Sequence, residues 1–264
     1  MPYTSSRGVK IYHESYGTGV PLVFLAPLAA NGYIWHHQVF AFARTNRCIL
    51  IDARGHSRSE KPDGGYNVPQ LAEDVLAVLD DLAINKAVLV GNSIGGMAAM
   101  QFNLDHPDRV RGNVLAGTAT NMGANMPKEV MEAFQRDPFN MFCGLMDTAV
   151  ADHTRRERPE ILTTMRSLLT NEETFPRRVF FSFLSDPEGP FAWNIASRLG
   201  DIHAPTLVLV GAEDRATPVE ANQFLAASIP GAQFSTIPDA GHFSELENPA
   251  AFNERLAQFL GSLG

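Results

Sequence analysis

A serine, two adjacent carboxylates and a histidine follow one another along this chain, each where an apolar run gives way to small or polar residues. Ser93 lies in Leu89-Val90-Gly91-Asn92-Ser93-Ile94-Gly95-Gly96-Met97, and Glu213 and Asp214 close the run Leu207-Val208-Leu209-Val210-Gly211-Ala212. His242 lies in Pro238-Asp239-Ala240-Gly241-His242-Phe243. A serine hydroxyl is a weak nucleophile at neutral pH. It needs a base to take its proton, and an imidazole base needs an acid to hold its tautomer and balance its positive charge. The three residue types are those of nucleophilic attack at a carbonyl carbon, with Ser93 as nucleophile, His242 as base and a carboxylate behind it.

Such chemistry requires elements that bring distant residues together. Residues 22–25, 48–51, 87–90 and 207–210 are wholly apolar, residues 110–115 supply another strand, residues 9–16 alternate, and residues 233–237 form a shorter run. Strands apolar on both faces, separated by helical patterns, predict a mostly parallel sheet flanked by helices. Parallel strands share one carboxyl edge, so residues that follow different strands converge there. Around Ser93 the pattern is strand, sharp turn, helix, with flanking glycines where a Cβ would collide with a neighbouring element. Asn67-Val68-Pro69-Gln70 predicts a helix start with a capping box, continued by Leu71, Ala72, Val75, Val78, Leu79 and Leu82 at helical spacing. Further helices are predicted after Ser93, over about 218–229, and from about 249 to 260 behind Asn248. From about 119 to 199 no such strand occurs, and methionines and phenylalanines cluster instead. That stretch reads as a mostly helical insertion.

Composition bounds the function. The chain has 264 residues, 45% hydrophobic and 19% charged, enough for one large α/β domain. A net charge of -8 argues against nucleic acid, which calls for basic surface. The longest apolar run, residues 22–30, is too short for a bilayer, and the first residues lack a signal-peptide pattern, so a cytoplasmic location without membrane contact is expected. Two cysteines, Cys48 and Cys143, suggest buried thiols rather than a disulfide framework or a metal cluster.

Together these motifs resemble the α/β-hydrolases over nearly the whole chain. Asp52-Ala53-Arg54-Gly55-His56-Ser57-Arg58-Ser59 is similar to that family's D-x-R-G-x-G-x-S turn, and the surroundings of Asp214 and His242 match its acid and histidine regions. The resemblance implies an α/β-hydrolase core over 1–118 and 200–264 and a helical cap, or lid, over 119–199. It selects Asp214 rather than Glu213 for a Ser93, Asp214, His242 triad, and leaves Asp52, Arg54 and His56 to a structural turn. It also implies an oxyanion hole made by two backbone N–H groups. One is that of Ile94. The other belongs to the loop after residues 22–25, where many relatives carry His-Gly and this chain has Ala26-Pro27. Proline has no N–H, so counting back from Trp35 places Leu28 in that role, with Ala29 as the other candidate.

A serine nucleophile sets the chain apart from relatives that use aspartate, the haloalkane dehalogenases and epoxide hydrolases. Residues 118–123 and 240–249 are similar to 3-oxoadipate enol-lactonases, which implies hydrolysis of a carboxylic ester or lactone of a small, largely apolar substrate through an acyl-enzyme. The elbow Gly91-Asn92-Ser93-Ile94-Gly95-Gly96 is also similar to the meta-cleavage product hydrolases, which break a carbon-carbon bond. A third reading is a small-molecule receptor that retains the triad. Trp35, Met122, Trp193 and Phe243 are candidate substrate-binding residues, and Trp35 and Trp193 could equally pack in the core. Arg155, Arg156, Arg158, Arg177 and Arg178 could bind a substrate carboxylate or face solvent. The expected partner is a small-molecule substrate, with no cofactor and no metal, and nothing specifies an oligomeric state.

Overall fold

The computed structural model describes residues 2–121 and 128–264. Strands β1 (Tyr3–Ser6), β2 (Val9–Tyr16), β3 (Val20–Leu25), β4 (Asn46–Ile51), β5 (Ala87–Asn92), β6 (Val110–Ala116), β7 (Thr206–Gly211) and β8 (Gln233–Ile237) form one sheet in the order β1-β2-β4-β3-β5-β6-β7-β8. β2 runs antiparallel to β1 and β4, and every other pairing is parallel. The chain has the α/β-hydrolase fold. β5 and β7 are buried along their whole length, which explains their unbroken apolar runs, whereas the edge strand β8 is buried only at Ile237. β1 has no counterpart among the apolar runs. Its residues are mostly polar, and it forms because Arg7 (φ 49°) and Gly8 (φ 85°) make a two-residue hairpin that sets Ser6 against Val9.

Helices α1 (His36–Phe42), α2 (Val68–Asp81) and α3 (Ile94–Asp105) follow β3, β4 and β5. At the start of α2 the Asn67 side chain accepts from the Gln70 N–H at 2.9 Å. The Gln70 side chain, however, reaches Asp74 and Arg7 instead of turning back, so the capping box is half made. Asp74 is buried on α2 because Arg54 grips it with two hydrogen bonds, of 2.7 and 2.6 Å. α3 lies almost in contact with the sheet: a Cβ on Gly95 would stand 2.2 Å from the Leu25 carbonyl oxygen, and one on Gly91 2.3 Å from that of Gly95. The glycines on either side of Ser93 are demanded by this close approach.

Between β6 and β7 the chain forms α4 (Lys128–Arg136), α5 (Pro138–Ala149), α6 (Asp152–Glu157), α7 (Pro159–Thr170) and α8 (Arg177–Ser185). Phe139, Phe142, Met146, Met165, Phe180 and Phe183 pack inward there. α9 (Val219–Ser228), the short α10 (Ser244–Glu247) and α11 (Pro249–Ser262) complete the chain. Asn248 caps α11 by accepting from the Ala251 N–H. No described helix is long and apolar enough to cross a membrane.

Candidate active site

The register of the parallel strands sets the carboxyl ends of β3, β5, β6, β7 and β8 side by side: Leu25 pairs with Gly91, Asn92 with Ala116, Ala116 with Leu209, and Gly211 with Ile237. Ser93 stands one residue beyond β5. It adopts φ 54° and ψ -118°, a conformation L-residues rarely take, at the head of α3. Its N–H donates to the Ala116 carbonyl at 3.0 Å, and its own carbonyl accepts from Thr118 Oγ1 at 2.7 Å. The strained turn is thereby clamped from both sides by the end of β6.

Asp214 follows β7 and His242 follows β8. Asp214 Oδ2 lies 3.0 Å from His242 Nδ1, which fixes the tautomer as Nδ1–H and leaves Nε2 as the ring's base. The carboxylate is itself held. Oδ1 accepts the N–H groups of Ala216 and Thr217 at 2.9 Å each, and Oδ2 accepts Thr217 Oγ1–H at 2.8 Å. Asn92, next to the serine, donates from Nδ2 to the His242 carbonyl at 2.9 Å, tying the two loops together. A Cβ on Gly117 would lie 3.0 Å from Asp214 Oδ2, 3.2 Å from Asn92 Nδ2 and 3.3 Å from His242 Nδ1, tight enough to press on all three, and its φ of 46° favours glycine as well. Ser93, Asp214 and His242 are exposed by 4%, 5% and 1%. Among the described residues no hydrogen bond joins Ser93 Oγ to His242, whose only side-chain partners are Asp214 and Thr217.

The insertion grips the histidine loop. The His242 N–H donates to the Ala149 carbonyl at the end of α5 at 2.8 Å, and a Cβ on Gly241 would stand 2.0 Å from that oxygen, which accounts for the glycine before the histidine. Glu247 accepts the Phe243 N–H on one oxygen and the Ala151 N–H on the other. Glu213, beside the acid, accepts the Asp152 N–H at 2.9 Å, a bracing role distinct from that of Asp214.

Ile94 is the first residue of α3, and its N–H and that of Leu28 make no hydrogen bond among the described residues. The Ala29 N–H is already taken: His56 Nε2 accepts it at 3.0 Å. Trp35 is fully buried in the core, its ring 5.3 Å from Phe24 and 5.9 Å from Phe252. Its size and burial there give it a packing role. Trp193 is 5% exposed and anchored to α3 by an Nε1–H bond of 2.9 Å to Gln101, and the Phe243 ring lies 5.3 Å from that of His242. Met122 lies outside the described residues. Sequence reasoning did not assign Asn92, Thr217 or Glu247 to this site. Thr217 alone left a signal, as a hydroxyl three residues after the acid in a turn that ends in Pro218.

A model of the alpha/beta hydrolase fold family matches residues 20–249. A solved structure described as an N-acyl homoserine lactone degrading enzyme is 53% identical and superposes with a TM-score of 0.95, covering 98% of this chain and 100% of that one. The 2-hydroxy-6-oxononadienedioate/2-hydroxy-6-oxononatrienedioate hydrolase of Paraburkholderia phymatum is 30% identical over 96% of this chain and 91% of its own. The 3-oxoadipate enol-lactonase 2 of Acinetobacter baylyi is 29% identical over 94% of this chain and 92% of its own. The chain belongs to the alpha/beta hydrolase family, and it is a hydrolase.

Proposed function

We propose that this hydrolase cleaves a carboxylic ester or lactone through an acyl-enzyme on Ser93. The observation that carries the reading is the buried Asp214 to His242 bond on the same sheet edge as a serine held in a strained turn. In the proposed cycle Ser93 Oγ attacks the carbonyl carbon as His242 Nε2 takes its proton, and Asp214 balances the imidazolium. The negative charge on the carbonyl oxygen is met by the N–H groups of Leu28 and Ile94, the latter aided by the positive end of the α3 dipole. The alkoxide leaves with the proton from His242. Water, deprotonated by the same imidazole, then releases the acid. Helices α4–α8 act as the cap that keeps bulk water away.

The substrate is neutral. Arg155, Arg158 and Arg178 direct their guanidinium groups to backbone carbonyls of Val150, Leu246 and Lys61, and Arg177 pairs with Glu172. These four are engaged elsewhere than with a substrate carboxylate, Arg156 is exposed, and N-acyl homoserine lactone, named for the neighbour at 53% identity, carries no charge. The test compares wild type and Ser93→Ala on p-nitrophenyl acetate and on an N-acyl homoserine lactone, with acid release followed by titration. Turnover should fall by on the order of 10⁴ or more in the variant. Equal rates in both proteins would overturn the assignment. Carbon-carbon hydrolysis, favoured by the 30% identity to a dienedioate hydrolase, would show instead as bleaching of a coloured dienoate substrate with no lactone turnover.

A further inference from the structure

The loop that should carry the second oxyanion donor lacks the glycine its shape calls for. The Ala30 N–H donates to the Pro27 carbonyl at 3.1 Å, closing a four-residue turn whose third residue, Ala29, has φ 67°. A positive φ at that place alone defines a type II turn, where glycine or asparagine is the usual occupant. An alanine there is strained by its Cβ, and a type I turn with the central peptide rotated by roughly half a turn would relieve it. Something must hold the central peptide against that rotation.

His56 supplies the hold. The Leu28 to Ala29 peptide presents its N–H to His56 Nε2 at 3.0 Å, while Nδ1 lies 2.9 Å from the Arg54 carbonyl. A carbonyl accepts only, so Nδ1 carries the proton and Nε2 is free to receive the Ala29 N–H. The ring is 1% exposed and is covered by Phe175 at 4.7 Å and Phe183 at 5.7 Å between centroids, both from the insertion. Burial pushes the imidazole down to about 4, so it stays a neutral acceptor through the physiological range. The same turn grips the loop twice more: Asp52 Oδ1 accepts the Gly32 N–H at 2.9 Å, and Ser57 Oγ accepts Asn31 Nδ2–H at 3.2 Å.

We propose that His56 is a positioning residue for the oxyanion hole: by accepting the N–H of the peptide that follows Leu28 it locks the Pro27 to Ala30 turn in its strained form, and so holds in place the loop backbone that carries the Leu28 N–H. The idea rests on the serine-hydrolase reading above. It also explains how this chain dispenses with a glycine, since His56 supplies from outside the loop what glycine would supply from within. The hold acts on the transition state, because the donor it places meets charge that develops only there.

The test uses His56→Asn, whose short amide can still donate to the Arg54 carbonyl but cannot reach Ala29. Its kcat should fall about 10- to 100-fold, less than outright loss of a donor, with KM within about twofold of wild type. Affinity for a trifluoromethyl ketone, which forms a charged tetrahedral adduct on the serine, should fall by the same factor as kcat/KM. Adding Ala29→Gly to His56→Asn should recover most of both, because glycine takes a positive φ freely. A general weakening of the fold would not be rescued in this way. In the wild-type protein, nitrogen-15 NMR should show His56 as the Nδ1–H tautomer. An Nε2–H tautomer, or unchanged kcat and ketone affinity in His56→Asn, would overturn the proposal. A wild-type enzyme that the ketone does not inhibit would instead overturn the serine-hydrolase reading on which it rests.

Discussion

Glu245 should make this protein lose stability as pH rises, and Glu245→Gln should remove that loss. The residue lies three positions after His242, is fully buried, and has no hydrogen-bond partner on either carboxylate oxygen among the described residues. Burial, reinforced by the negative charges of Glu247 and Asp214, pushes its carboxyl up from 4.5 to about 8. The sign follows from proton counting. Below 4.5 both the folded and unfolded chains hold the proton, and the group contributes nothing to the pH dependence. Between 4.5 and about 8 the unfolded chain releases it and the folded chain keeps it, so unfolding becomes easier with each step of pH. At about 1.4 kcal/mol per pH unit the whole interval amounts to about 5 kcal/mol, of which roughly 3 kcal/mol is already present at about pH 7.

Glutamine keeps the shape and cannot ionise. Urea unfolding of wild type and Glu245→Gln should therefore give similar free energies near about pH 5, with the variant ahead by roughly 3 kcal/mol near about pH 7 and by more above about pH 8. Every other titrating group is shared by the two proteins, so the difference between the curves isolates this one. A difference that stays constant from about pH 5 to about pH 8 would refute the reasoning, because it would mean that Glu245 is ionised in the native state throughout.

Ser93→Ala and Ser93→Gly should both be inactive, but the glycine variant should be more stable than the alanine variant by about 1 kcal/mol in urea unfolding, because φ 54° with ψ -118° strains any residue with a Cβ. Equal stabilities would mean that the turn stores no strain. Thr217→Val should lower kcat/KM about tenfold in ester hydrolysis by removing one of the three donors that hold Asp214 behind His242, equivalent to about 1.4 kcal/mol, and a change under about twofold would show that the two backbone N–H groups suffice. Asp74→Ala leaves Arg54 charged and buried, and should cost about 3 to 5 kcal/mol in urea unfolding. The pair Arg54→Met with Asp74→Leu should cost much less, and an equal cost for both variants would argue against an uncompensated charge as the cause.

The sheet centre, the capped helices and the turn around Ser93 are legible in the sequence because each rests on contacts within a few residues or on an unbroken apolar run. Glycines 91 and 95 mark the turn since α3 lies against β3 and β5 closely enough to forbid a Cβ. β1 was hidden because a polar four-residue strand gives no hydrophobic signal, and its pairing depends on a hairpin with a positive φ at Arg7. Trp35 gave no local sign of whether it faces a pocket or the core, because its partners Phe24 and Phe252 come from opposite ends of the chain. His56 belonged to a recognisable turn, yet its acceptor contact with Ala29, 27 positions away, is a property of the fold alone.

The parts of the site that were hard to read share one physical origin. Loops at the carboxyl edge of a parallel sheet have N–H groups with no strand or helix to receive them, and buried N–H groups must find acceptors. Here side chains supply them: Asp52 for Gly32, His56 for Ala29, Asp214 for Ala216 and Thr217, and Glu247 for Ala151 and Phe243. Asp52, His56 and Asp214 each fix one loop, Glu247 ties two together, and each is a polar residue that composition alone would place on the surface. Loss of any one releases a backbone segment without emptying the apolar core, so its effect falls on site geometry more than on the stability of the sheet. That is why a turn with no reacting group, such as residues 52–59, can govern how well a transition state is held.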